Sequence, residues 1–189
     1  MDAAINCFSR EGFHRTTMQD IVAESGLSAG SLYRYFDSKE SIVAAIAGEH
    51  HVPEATALAE AQDAPNATDG LRQIVRASLG RLSDPAEQRW RRVTIQLWSE
   101  ALRDERVMDV VRAGLDGPID DLARLLRRGQ RDGRLPAGLD PDATARVCAS
   151  IFQGLVLQQA WDPAIDVESY VNATLALVDA LEGPSVTRS

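Results

Sequence analysis

Six residues near the N-terminus have the types and spacing of a surface that grips a nucleic-acid duplex: Thr17, Ser28, Gly30, Tyr33, Arg34 and Lys39. Thr17 and Ser28 stand at expected helix starts, where free N–H groups and the helix dipole favour a phosphate oxygen. Gly30 removes side-chain bulk, so backbone can approach a duplex closely. Tyr33 offers a ring for a thymine methyl and a hydroxyl for a phosphate, and Arg34 can reach phosphate or guanine edges. Of the 20 Lys and Arg residues only Lys39 is a lysine. In the first turn of a helix its charge opposes the dipole by ~0.3–1 kcal/mol. A bound phosphate explains that placement, and so does plain tolerance of an exposed lysine; the residue alone does not choose.

No other chemistry is spelled out. The histidines are His14, His50 and His51, and the adjacent pair points ~100° apart on a helix, so it makes a poor ligand face. No Gly-rich phosphate loop, GxSxG elbow or nucleophile–base pair is present. No catalytic residue, metal or cofactor is therefore expected, and the chain is not read as an enzyme. Cys7 and Cys148 form no CxxC pair and read as two reduced, buried thiols of a cytoplasmic protein. No apolar run approaches the ~20 residues of a membrane span, and no signal peptide is visible. The formal charge of −8 counts against nucleic-acid binding at first sight. At physiological salt, however, the Debye length is ~8 Å, so acids on a distant domain are largely screened and the local field decides.

The elements that must position these residues are helices. The composition is 44% apolar, 25% charged and only 5% aromatic, and no β-alternation or internal repeat stands out. Residues 2–11 read as a helix with Ala4, Ile5, Cys7 and Phe8 inward. Gly12 should close it in a Schellman ending that sets Phe13 on Phe8. Thr17 with Asp20 reads as a capping box, and Met18, Ile21, Val22 and Ser25 follow the helical spacing i, i+3, i+4, i+7. Gly26 should end that helix in the left-handed conformation and fold Leu27 back on Val22. Ser28 then starts a third helix to Tyr35, with Leu32, Tyr35 and Phe36 on one side and Gly30, Tyr33, Arg34 and Asp37 on another. Ser38 caps a fourth carrying Ile42, Val43 and Ile46 inward, which Pro53 should kink or interrupt. After a loop at 62–69, helices are expected at about 69–82, 86–103, 105–132, 141–161 and 166–182, the third of these breaking near Gly117-Pro118. The tail 183–189 reads as frayed. This is an all-α chain of about nine helices.

Two short helices joined by a tight glycine turn form a helix-turn-helix, whose second helix enters the major groove. Residues 12 to 43, GFHRTTMQDIVAESGLSAGSLYRYFDSKESIV, resemble the N-terminal DNA-binding domain of the TetR (tetracycline-repressor) family, whose pattern runs from Gly-Phe through Thr-Thr to Gly, then Leu-Tyr-x-Tyr-Phe and Ser-Lys-Glu. The resemblance implies a three-helix helix-turn-helix domain over 1–47 and an effector-binding and dimerisation domain over 48–189. It puts Thr17, Ser28, Ala29, Gly30, Ser31, Tyr33, Arg34, Tyr35 and Lys39 at DNA-facing positions. Three features lower the expected affinity: the chain starts within the first helix, without the basic residues common before it; Ala29 stands where a long side chain is frequent; and Asp37 repels phosphate. A second stretch from Leu97 to Asp166, including LWSEALRDERV and GLVLQQAWDP, resembles a C-terminal subgroup of the same family.

For the C-terminal part, the resemblance implies a ligand chamber and a homodimer interface. Candidate chamber residues are Trp90, Gln96, Trp98, Met108, Phe152, Gln153 and Trp161. The helix at 142–161 is apolar along two stripes, Val147, Ile151, Leu155 and Cys148, Phe152, Val156, and so needs two partners. With the helix at 166–182 it could build a two-fold four-helix bundle, although two central core helices of a monomer would read the same way. The expected function is a ligand-responsive repressor that binds a palindromic, double-stranded operator as a dimer and is released by a small-molecule effector. The rival classes are an all-helical enzyme and a helical interaction module without DNA affinity.

Overall fold

The computed structural model describes residues 1–84 and 87–182, apart from the side chain of Gln88. Among the described residues there are nine α-helices, one short 3-10 turn and no strand. In chain order they are α1 Asp2–Glu11, α2 Met18–Ser25, α3 Ala29–Tyr35, α4 Lys39–Gln62, α5 Ala67–Gly80, the 3-10 turn Arg81–Ser83, α6 Glu87–Glu100, α7 Glu105–Arg131, α8 Pro141–Trp161 and α9 Val167–Leu181. The expected frayed tail lies outside the described residues.

The chain packs as two compact units, one made of 1–51 with 85–115 and the other of 52–84 with 116–189. The core of the first is Phe8, Phe13, Ile21, Leu32, Ile42, Val43, Ile46, Trp90, Val93, Leu97 and Val107, so α6 and the start of α7 pack with the N-terminal helices. The core of the second gathers Leu58, Leu71, Ile74, Leu122, Leu125, Leu126, Leu135 and Val178 from α4, α5, α7, α9 and the α7–α8 connection. There α5 crosses so tightly that a Cβ on Gly70 would lie 2.6 Å from the Ala61 carbonyl oxygen and 3.1 Å from Leu125. Arg128 of α7 donates to the carbonyl of Gln62, an oxygen that the end of α4 leaves without a helical partner, and to that of Ala64 just beyond the helix.

Several local expectations are corrected. Helix α4 runs unbroken through Pro53 and α7 through Pro118. A proline inside a helix costs ~3 kcal/mol, but each of these is flanked on both sides by buried residues of the same helix. Ile46 and Ala47 precede Pro53 and Leu58 and Ala61 follow it; Val107 precedes Pro118 and Leu122 and Leu125 follow it. Packing of those flanks outweighs the lost hydrogen bond. Gly12 takes φ 89°, ψ 149° rather than the left-handed helical conformation, although Phe13 still reaches Phe8 with ring centroids 5.2 Å apart. Leu27 stays 53% exposed instead of folding back, and Tyr35, which shares a side with Leu32 and Phe36 in the helical spacing, is 71% exposed.

Candidate nucleic-acid interface

The turn between α2 and α3 is built by three local devices. Thr17 makes a full capping box: the Asp20 N–H donates to Thr17 Oγ1 at 3.2 Å, and the Thr17 N–H donates to Asp20 Oδ2 at 2.8 Å. The Thr17 hydroxyl also donates to Asp20 Oδ2 at 2.7 Å. That hydroxyl bond, and then the backbone one, hold the Asp20 carboxyl below its ordinary pKa. Gly26 ends α2 at φ 67°, ψ 6°, the left-handed conformation that glycine adopts without strain. Ser28 then caps α3 by accepting from the Ser31 N–H at 3.1 Å.

Helix α3 buries Leu32 and turns its other face out. Ala29, Gly30, Tyr33, Arg34 and Tyr35 are exposed, as are Thr17 and Ser28, while Ser31 and Lys39 are half-buried. Nothing lies within 4 Å of where a Gly30 Cβ would stand. Arg34 lies over the Tyr35 ring, 4.9 Å from its centroid, and donates to its hydroxyl at 3.2 Å. The guanidinium is thereby held beside the exposed face and keeps further donors for an acceptor outside it.

Lys39 does something that its sequence context did not announce. Its Nζ donates to the carbonyls of Phe13 at 2.8 Å, His14 at 3.1 Å and Thr16 at 3.4 Å, and sits 4.5 Å from the Phe13 ring centroid. An ammonium has three donors around one compact charge, whereas the planar guanidinium fork suits carboxylates and phosphates. That difference accounts for a lysine here in an arginine-rich chain. On its other side the α1–α2 loop is held by α6. The Phe13 N–H donates to Gln96 Oε1 at 2.8 Å, Arg89 donates to Asn6 Oδ1 at 2.8 Å, and His14 Nδ1 lies 3.5 Å from Glu100.

The residues expected to line a chamber are distributed over both units. Trp90 is buried and stacked on His50 at 4.7 Å, Gln96 holds Phe13, and Trp98 and Met108 are half-buried. Phe152 and Gln153 are half-buried on α8, and Trp161 at its end is 74% exposed. Helix α8 buries Ala145, Leu155 and Val156 but exposes Val147, and α9 buries Val167, Thr174 and Val178 but exposes Leu177. Cys7 is buried, Cys148 half-buried, and both are free thiols. Burial raises the pKa of each. Among the described residues no three His, Cys, Asp or Glu side chains are placed to hold a metal ion, and no helix is long and apolar enough to cross a membrane.

Comparison with known proteins agrees along the chain. A family model described as "Bacterial regulatory proteins, tetR family" matches residues 1–46, and one described as "BetI-type transcriptional repressor, C-terminal" matches 67–182. The uncharacterized HTH-type transcriptional regulator YfiR of Bacillus subtilis is 50% identical over 42 residues, a match spanning 22% of this chain and 20% of that one. The HTH-type transcriptional regulator UidR of Escherichia coli is 22% identical over 156 residues, 82% of this chain and 77% of that protein. Among solved structures, SmeT, the repressor of the Stenotrophomonas maltophilia multidrug efflux pump SmeDEF, superposes with a TM-score of 0.77 at 27% identity, covering 98% of this chain and 89% of that one.

Proposed function

The chain belongs to the TetR family of bacterial transcriptional regulators, and from that premise we propose that it is a dimeric repressor whose two reading heads fit successive major grooves of a near-palindromic operator. The observation that carries this reading is the capped α2–turn–α3 unit with Tyr33 and Arg34 exposed on one face. We assign residues 1–47 to operator binding and 48–189 to effector binding and dimerisation, with α6 touching the head from the second region. Thr17, Ser28, Ala29, Gly30, Ser31, Tyr33, Arg34, Tyr35 and Lys39 form the assigned DNA face. Because the Thr17 hydroxyl proton is committed to Asp20, what it offers a phosphate is a well-formed helix start rather than a donor of its own.

Helices α8 and α9 form the proposed dimer interface, through a face that includes the exposed Val147 and Leu177. A dimer places two α3 helices about one DNA turn apart, ~34–36 Å. The effector-binding candidates are Trp90, Gln96, Trp98 and Met108 in the first unit and, taken separately, Phe152, Gln153 and Trp161 in the second. An effector that binds better to a state with differently spaced heads releases the operator, and operator and effector then weaken each other by the same factor. The site of action is the cytoplasm, and no catalytic role is assigned. Selection from a random duplex pool tests the reading: enrichment of an inverted repeat is expected. No enrichment at low ionic strength would leave a helical interaction module, which the charge of −8 favours, as the better account.

A further inference from the structure

Helix α6 meets the reading head along one stripe. Arg89, Val93, Gln96 and Glu100 recur at the spacing of one helical face; Val93 is fully buried, and the three polar members hold Asn6, the Phe13 N–H and His14. The middle contact differs in kind from the others, because it replaces a bond that the loop could make by itself. A Schellman ending at Gly12 would send the Phe13 N–H back to the Phe8 carbonyl. Here the Gly12 N–H takes the Phe8 carbonyl at 2.9 Å, Gly12 sits at φ 89°, ψ 149°, and the Phe13 N–H goes to Gln96, 83 positions away. Backbone near that φ and ψ is adopted almost only by glycine, while the left-handed helical well is open to asparagine as well. The hinge therefore has two self-consistent arrangements. One needs an acceptor from α6; the other closes on α1.

We propose that Gln96 is a positioning residue for operator binding, holding the Gly12 hinge in its extended arrangement through the Phe13 N–H. The consequence runs along the backbone. The Phe13 carbonyl is bound by Lys39 at the start of α4, the Thr16 carbonyl meets the same ammonium, and Thr17 is the cap of α2. Moving α6 away from Phe13 removes the acceptor of that N–H in this arrangement and favours the Schellman alternative, shifting the loop that carries the α2–α3 unit. This inference rests on reading the head as an operator binder.

The full-length protein tests it, with operator affinity measured by fluorescence anisotropy on the enriched inverted repeat and hydrogen exchange followed at the Phe13 amide. Gln96→Glu keeps an acceptor oxygen and should bind within about twofold of the parent. Gln96→Leu should weaken binding by about fivefold or more, the bias that about one hydrogen bond sets between the two hinge arrangements. Gly12→Asn should weaken it comparably, because a side chain at φ 89° is strained whatever the space around it and asparagine relieves that strain in the left-handed helical well. Parental affinity in Gln96→Leu overturns the proposal, as does an equal loss in Gln96→Glu, which would show that the acceptor is not what matters. Should Gln96→Leu fail to fold, the parent and Gly12→Asn decide: unprotected exchange at Phe13 in the parent overturns the contact, parental affinity in a folded Gly12→Asn overturns the hinge, and weakened binding there supports it. A parent that binds no duplex refutes the operator reading separately, and Phe13 exchange still judges the hinge.

Discussion

At the scale of single residues, the DNA face separates into groups that shape it and groups free to touch a ligand. Lys39 shapes it: all three of its donors meet carbonyls of the α1–α2 loop. Lys39→Ala leaves those oxygens without a charged partner, a loss of about 1–3 kcal/mol, so the melting temperature should fall by several degrees at roughly 2–4 °C per kcal/mol for a chain of this size. Lys39→Arg should recover little of that, because a planar fork cannot serve three convergent carbonyls. Tyr33 is a free group, 49% exposed and without a hydrogen-bond partner among the described residues. Tyr33→Ala should weaken operator binding about tenfold, in the range of one lost specific contact, with no change in melting temperature. Calorimetry and anisotropy on the pair give the outcome. A Lys39→Ala protein that melts like its parent would remove the brace from the account, and a Tyr33→Ala protein of parental affinity would remove Tyr33 from the face.

At the scale of elements, what was readable in the sequence was whatever is decided within a few residues. Thr17 with Asp20, Gly26 and Ser28 declare their caps and turn because each device closes over two or three positions. Asp140 and Asp166 cap the starts of α8 and α9 over equally short distances. The failures share the opposite cause. Pro53 and Pro118 read as breaks because the packing that keeps α4 and α7 continuous comes from other helices. The bond between Gln96 and Phe13 was silent because nothing near either residue in sequence points to the other. Gly70 was equally silent, yet α5 sits where it does because that position has no side chain: a Cβ would come within 2.6 Å of a backbone oxygen of α4. Gly70→Ala ought to favour the helix by propensity, but overpacking costs about 1–3 kcal/mol and wins. The expected result is a melting temperature several degrees lower; a stabilised Gly70→Ala protein would mean that α5 can retreat from α4 at little cost.

At the scale of the whole molecule, the question is how a chain of formal charge −8 holds a polyanion. Screening over ~8 Å confines the relevant field to the head, so affinity should depend on a small number of cations counted twice in a dimer. If each head neutralises about three phosphates, the logarithm of the binding constant should fall against the logarithm of salt with a slope of about −5. A single head should show about half that slope. The exposed Leu177 on α9 gives the means to separate them: Leu177→Glu would set like charges and buried carboxylates against each other across the proposed two-fold interface and should leave a monomer in sedimentation at micromolar concentration. Both measurements then bear on one another. A monomeric variant with the halved slope means that each head binds its own half-site and that dimerisation supplies only the pairing. A variant that stays dimeric places the two-fold contact elsewhere than on α9. A monomer that keeps the parental slope would show that one head makes all the phosphate contacts, and the two-groove geometry would then fail whatever the operator sequence.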